Sequence, residues 1–187
     1  MKELKVYDVS ENNTLDYSDF EAMAADGCKS VIIRCSFGWT HKDSKFKEYY
    51  GYAVKAGLAV KTYHYGYAHN PEEAVMEAQN CKQVLEEAGV AIDIVFYDVE
   101  DPSFDNEGND ITACAKAFLD ELGLNAGLYS MASWLENKID WKSLGCPVWW
   151  AQYEVSEPDV KTLAWQYTDK EPINGKELDC SVFYVPE

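Results

Sequence analysis

Residues 96–102, Phe-Tyr-Asp-Val-Glu-Asp-Pro, set three carboxylates within four residues, directly after the apolar run 92–95. In an extended strand residues two apart share a face, so Asp98 and Glu100 stand side by side in line with Phe96 and Ile94, while Tyr97 and Val99 face the other way. The α-carbons of the pair are then about 6–7 Å apart. Pro102 ends the strand and leaves both acids at its C-terminal end. Asp8 repeats the arrangement, following Leu4 and Val6 on one face of the run 4–9, and Asp179 is a further acid among apolar neighbours. Crowding carboxylates disfavours ionisation of each, and burial disfavours it further, so one of them is expected to hold its proton near neutral pH. A protonated carboxyl beside an ionised one suits cleavage of a glycosidic bond: the acid protonates the leaving oxygen while its neighbour stabilises the charge growing on the sugar. Glu100, with the longer reach, is the expected acid. Two other readings fit the same acids: a strand end meeting solvent, and a magnesium or manganese site of a phosphoesterase.

The aromatic residues tilt this choice toward sugar. The chain has six Trp, thirteen Tyr and seven Phe, and strand-end positions include Tyr63, Tyr65, Tyr129, Trp149, Trp150, Tyr153, Trp165 and Tyr167. Such side chains stack on the apolar CH faces of sugar rings, although they also fill ordinary cores. Arg34 breaks into the apolar run 30–35, where it either neutralises the acids or holds a substrate carboxylate. His64, within the run 59–66, is expected to be a hydrogen-bonded core histidine.

Positioning these groups requires strands, and apolar runs recur at 4–9, 30–35, 59–66, 92–100 and 125–130. Segments of helical period lie between them, clearest at 70–89, where Ala74, Ala78, Cys81, Leu85 and Ala88 step along one face. Asn70 is an N-cap with Pro71 at the first helical position, and Gly89 can take the left-handed conformation that stops the helix. Similar signals put helices between Asp16 and Gly27, between Phe46 and Gly57, and between Ile111 and Gly123. Alternating strand and helix predicts a parallel sheet. After residue 140 short strands dominate, at 147–153, 162–167 and 175–183, with Asn174-Gly175 as a turn between the last two. The expected fold is therefore α/β: an irregular TIM-like barrel of five β/α units followed by three further strands, with residues 1–187 as a single catalytic domain and no separate wall-binding module.

Composition narrows the partners. A formal charge of −17 argues against nucleic-acid binding, which demands a basic face. No run is long and apolar enough to span a membrane, and the N-terminus lacks a signal-peptide segment. The six cysteines are widely spaced with no Cys-x-x-Cys, so free thiols are expected and structural zinc is not. Neither metal nor other cofactor is called for, and the expected state is a monomer.

In order along the chain, "YDVS", "VIIRCSFG", "AVKAGLAVKTYHYGYA", "FYDVED", "AGLYS", "VWWAQY", "AWQY" and "LDCSVF" resemble glycoside hydrolase family 25, the Chalaropsis-type lysozymes of phages and bacteria. The resemblance implies a barrel of this kind and hydrolysis of the bond from N-acetylmuramic acid to N-acetylglucosamine in bacterial cell-wall peptidoglycan. It implies Glu100 as acid, Asp98 as the partner that steers the reacting sugar, and Asp8 and Asp179 as flanking acids. Arg34, Tyr63, Tyr129 and Trp165 match cleft positions, with Tyr65 and Trp149 expected beside them. Retention of anomeric configuration, with the substrate's acetamido oxygen attacking, is a further implication. The chain departs from the family after its first motif, where "DVSENNTLDY" puts contacts near Asn12 and Asn13 in doubt.

Overall fold

The computed structural model describes residues 2–123 and 125–186. Eight strands close into a barrel: β1 (Lys2–Val9), β2 (Ser30–Phe37), β4 (Ala59–Tyr65), β5 (Val95–Asp98), β6 (Ala126–Met131), β7 (Val148–Ala151), β8 (Ala164–Ile173) and β9 (Lys176–Val185). A two-residue strand not foreseen from the sequence, β3 (His41–Lys42), folds back antiparallel on the end of β2. The strands from β1 through β8 around the barrel run parallel, and β9 closes it antiparallel to both β1 and β8.

The helices begin and end where local chemistry directs. α1 (Tyr17–Ala25) is opened by Asp16 in a capping box with Asp19, and α3 (Pro71–Ala88) by Asn70, whose side chain accepts from the Glu73 amide. α3 and α4 (Ile111–Leu122) stop at Gly89 and Gly123, both with positive φ. α2 (Phe46–Lys55) buries Phe46, Tyr49 and Ala53. The fifth unit's helical part is split into α5 (Ala132–Asn137) and α6 (Trp141–Leu144). The hairpin β8–β9 turns through Asn174 and Gly175, φ 49° and 76°, the mirror-image turn that matches strand twist.

Strand alternation divides the core in two. Inside the barrel lie Val6, Ile32, Ile94, Phe96, Trp149, Ala164 and Phe183, capped by Tyr129. The larger layer between strands and helices takes the opposite faces, including Tyr7, Ile33, Val95, Tyr97, Leu128 and Trp150. The cysteines are free, and all but the half-buried Cys146 are buried. No helix among the described residues is long and apolar enough to cross a membrane.

Candidate active site

The barrel plug ends one layer below the C-terminal ends of the parallel strands, and the acids form the next layer. Asp8 lies directly opposite Asp179 in the β1–β9 ladder, a register that brings two like charges face to face. Across the barrel, Asp98 pairs with Tyr65 on one side and with Tyr129 on the other. These residues line a polar cavity of about 220 Å³ with Arg34, Tyr63, Glu100, Trp149 and Gln166. Ser10, Asn12 and Asn13 complete its rim, so the "ENN" segment does reach the cavity. A second, more apolar cavity of about 330 Å³ adjoins it between Met131, Ala132 and Tyr153, and Glu100 and Tyr129 border both.

The strand carrying Asp98 is shorter than the run 92–100 suggested. Regular pairing stops at Asp98, because the backbone must turn for Asp101 to cap the short 3₁₀ turn Pro102–Phe104. Val99 still donates its amide to the Tyr129 carbonyl at 2.9 Å, which holds the segment to β6. Glu100 therefore projects from the strand's extension, half-buried, while Asp98 is only 4% exposed. The expected grouping of Asp98 and Glu100 on the barrel side, with Tyr97 and Val99 outside, is what the core division shows.

Ionisation is disfavoured throughout the cluster. Burial, then the charge of Asp179, pushes Asp8 well above the ordinary carboxylate range, and Gln166 opposes the shift. Burial likewise raises Asp98, followed by the charges of Glu100 and Asp8, with Arg34 working the other way. Burial raises Glu100 against the Tyr129 hydroxyl, which lowers it, and Asp179 is pushed up to about 6. Among the described residues, Asp98 Oδ1, buried in the cavity wall, has no hydrogen-bond partner.

The surrounding side chains are fixed by one another. Gln166 donates Nε2–H to Asp8 Oδ2 at 3.0 Å, while its Oε1 accepts from the hydroxyls of Tyr129 at 2.7 Å and Tyr153 at 2.6 Å. Trp149 forms the floor, its indole N–H donating to Ser181 at 2.9 Å and its ring 4.4 Å from that of Tyr129. Arg34 has partners of its own: Nε–H donates to Asp43 at 2.9 Å, the guanidinium reaches Glu11 at 3.4 Å, and it lies over the Phe37 ring. A register shift between Arg34 and Ser36 re-aims the strand end, as bulges beside active sites do. Arg34 thus neutralises Asp43 and Glu11 as well as tempering Asp98.

Of the ten residues assigned to the cleft from the sequence, nine line the polar cavity: Glu100, Asp98, Asp8, Asp179, Arg34, Tyr63, Tyr65, Tyr129 and Trp149. Trp165 does not. It follows the inward Ala164 and so points outward, donating its indole N–H to the Gln152 carbonyl at 2.8 Å and packing against Tyr167. Its successor Gln166 holds the inward position, and sequence reasoning passed over it, together with Asp43. Among the described residues no group of three or more His, Cys, Asp or Glu is arranged to hold a metal ion. His64 is buried on the helix side of the sheet, hydrogen-bonded to Ser36 at 2.7 Å, and burial lowers it to about 3.

The family model for glycosyl hydrolases family 25 matches residues 7–176. An autolytic lysozyme of Clostridium acetobutylicum is 29% identical over 163 residues, 84% of this chain and 48% of its own length. The chain thus spans about half the length of that curated relative. The CTP1L endolysin structure superposes with a TM-score of 0.84 at 25% identity, covering 98% of this chain and 67% of that one. The catalytic domain of endolysin ply40 from bacteriophage P40 of Listeria monocytogenes shares the fold, with a TM-score of 0.84 at 21% identity over 98% and 94% of the two chains.

Proposed function

The chain belongs to glycosyl hydrolases family 25, and from that premise we propose that it is a lysozyme cleaving the β-1,4 bond between N-acetylmuramic acid and N-acetylglucosamine in peptidoglycan, with Glu100 as general acid. The observation that carries the assignment is the position of Glu100. Glu100 borders both adjoining cavities, so a glycan lying across the two would have its linking oxygen beside this residue. Burial keeps it protonated beyond the usual carboxylate range, as proton donation to a leaving oxygen requires.

In the proposed reaction Glu100 passes its proton to the glycosidic oxygen as the bond to the anomeric carbon breaks, and the released sugar leaves with a free hydroxyl. The acetamido oxygen of the reacting sugar closes on the anomeric carbon. Asp98, whose Oδ1 has no partner among the described residues, accepts the acetamido N–H and steers that attack. Water then opens the cyclic intermediate, giving up a proton to Glu100, and two inversions leave the configuration retained. Asp179, whose carboxyl is pushed up only to about 6 and so ionises near neutral pH, keeps negative potential beneath the developing oxocarbenium charge, while Asp8 faces it across the β1–β9 ladder. The barrel alone is the proposed catalytic unit.

The test incubates purified Gram-positive peptidoglycan with the protein and with Glu100→Gln, then identifies the new reducing end. Reducing muramic acid is expected, with release slowed about 10²–10⁴-fold in the variant. Reducing glucosamine would make the enzyme a glucosaminidase, and undiminished release by Glu100→Gln would remove the acid from the scheme.

A further inference from the structure

A third cavity, of about 380 Å³, lies beside the polar one and has no part in the reaction above. Its walls are aromatic: Phe37, Trp39, His41 and Tyr67. Trp39 is 47% exposed and Tyr67 40%, so two of the molecule's large apolar side chains face solvent in one groove. We propose that this groove is a distal glycan subsite, in which an N-acetylhexosamine of the same strand stacks on Trp39 and Tyr67 while the scissile bond lies at Glu100. The proposal rests on the lysozyme reading and extends it to how far along the strand the enzyme grips.

Continuity with the catalytic cavity supports it. Tyr65 lines the polar cavity, and its ring meets that of Tyr67 edge-on, with centroids 5.1 Å apart. Phe37 connects the two from the other side, lying under the Arg34 guanidinium at 4.8 Å and stacked on His41 at 5.0 Å with 8° between the planes. A strand leaving the polar cavity past Tyr65 therefore meets Tyr67 and Trp39 next.

The groove is also held in shape, by α3. Asn80 donates to the carbonyls of Gly38 and His41, at 2.8 and 3.0 Å, which fixes the loop bearing Trp39. Glu77, buried, accepts from the Tyr67 amide at 2.7 Å and from the Tyr97 hydroxyl at 2.6 Å, which fixes Tyr67. Gly38, at φ 55°, lets the loop pass Tyr67 where a β-carbon would lie 3.4 Å from the ring. Two rigid, half-exposed aromatic faces in a cavity of ligand-binding size suit a flat, uncharged sugar. No lysine or arginine is among the lining residues, whereas Glu73 and Glu77 are. A stem peptide bearing carboxylates would meet these two glutamates, with His41 and His69 as the basic side chains of the lining.

The experiment uses peptide-stripped glycan strands fractionated by length, with the wild-type protein, Trp39→Ala and Trp39→Tyr. On long strands Trp39→Ala is expected to raise KM roughly three- to tenfold, the size of one stacking contact, with kcat little changed. On the shortest strands that are still cleaved the KM shift should be much smaller, and on long strands Trp39→Tyr should recover most of the loss. Binding of long stripped strands to Glu100→Gln, with and without Trp39→Ala, reports the same contact without turnover. Equal KM shifts on long and short strands, or a loss seen only with peptide-bearing strands, would overturn the subsite. Failure of the lysozyme reading shows separately, as Glu100→Gln cleaving normally or the wrong reducing end.

Discussion

Gln166 holds the site together through three polar contacts, one to Asp8 and two from tyrosines that border the cleft. Its donor and acceptor ends are both used, so the amide orientation is dictated by its neighbours. Gln166→Leu keeps roughly the same volume but leaves Tyr129 and Tyr153 without their acceptor and Asp8 without the one group that eases its ionisation. Stability should fall by about 1–3 kcal/mol, the cost of unsatisfied buried polar groups. Peptidoglycan turnover should fall more than that loss explains, because Tyr129 faces Glu100. A denaturation midpoint and a release rate measured together test this; normal values of both would count against it. The residue could have been found in the sequence. The alternation that aligned Asp98 with Phe96 also runs along β8, where Ala164 and Gln166 face in and Trp165 faces out. The motif match drew the assignment of Trp165, whereas its phase in the strand decides where it points.

Helix ends were legible because single residues cause them: Asp16 and Asn70 accept amide hydrogens, and Gly89 and Gly123 adopt positive φ. Barrel closure was less direct. The pairing of β1 with both β2 and β9 joins residues far apart in the chain, and no local pattern encodes it. Nor does the bulge after Arg34 or the strand β3 carry a period of its own. Close approach between elements is equally hidden, and Gly127 shows it. A β-carbon there would lie 2.7 Å from the Pro147 carbonyl oxygen and 2.8 Å from the Phe96 ring, so β5, β6 and the entry to β7 meet at a point with no room for a methyl group. Gly127→Ala should destabilise by about 1–3 kcal/mol, the usual cost of overpacking, and should lower activity because Phe96 lies two residues before Asp98. Gly51, within α2, has nothing within 4 Å of the same position. Gly51→Ala should therefore stabilise by about 0.5–1 kcal/mol through helix propensity. Urea midpoints that move the same way for both would show that packing at Gly127 had been misjudged.

At the scale of the whole molecule, the acids make stability depend on pH in an unusual direction. Asp8, Asp98, Glu100 and Asp179 are raised chiefly by burial, and Glu77, buried beneath the aromatic groove, is pushed up to about 7. A raised carboxyl keeps its proton in the folded chain after the unfolded chain has lost it. The folded state then binds more protons, so stability falls as pH rises from the ordinary values of 3.8 and 4.5 through the raised ones. Carboxylates held low by partners, such as Glu73 and Asp19, act oppositely and lose their contribution only in stronger acid. His64, lowered by burial from 6.5 to about 3, must charge when the chain unfolds below 6.5 and so opposes the raised carboxyls in acid. Maximum stability should therefore sit at about pH 6, and the net charge of −17 adds self-repulsion as the remaining acids ionise. Urea midpoints should decline between about pH 6.5 and pH 8. Glu77→Gln, which cannot ionise, should remove part of that decline, on the order of 3 kcal/mol at most for a shift from 4.5 to about 7. A midpoint that instead climbs toward pH 8 would mean that these carboxyls, taken together, are not raised in the folded protein.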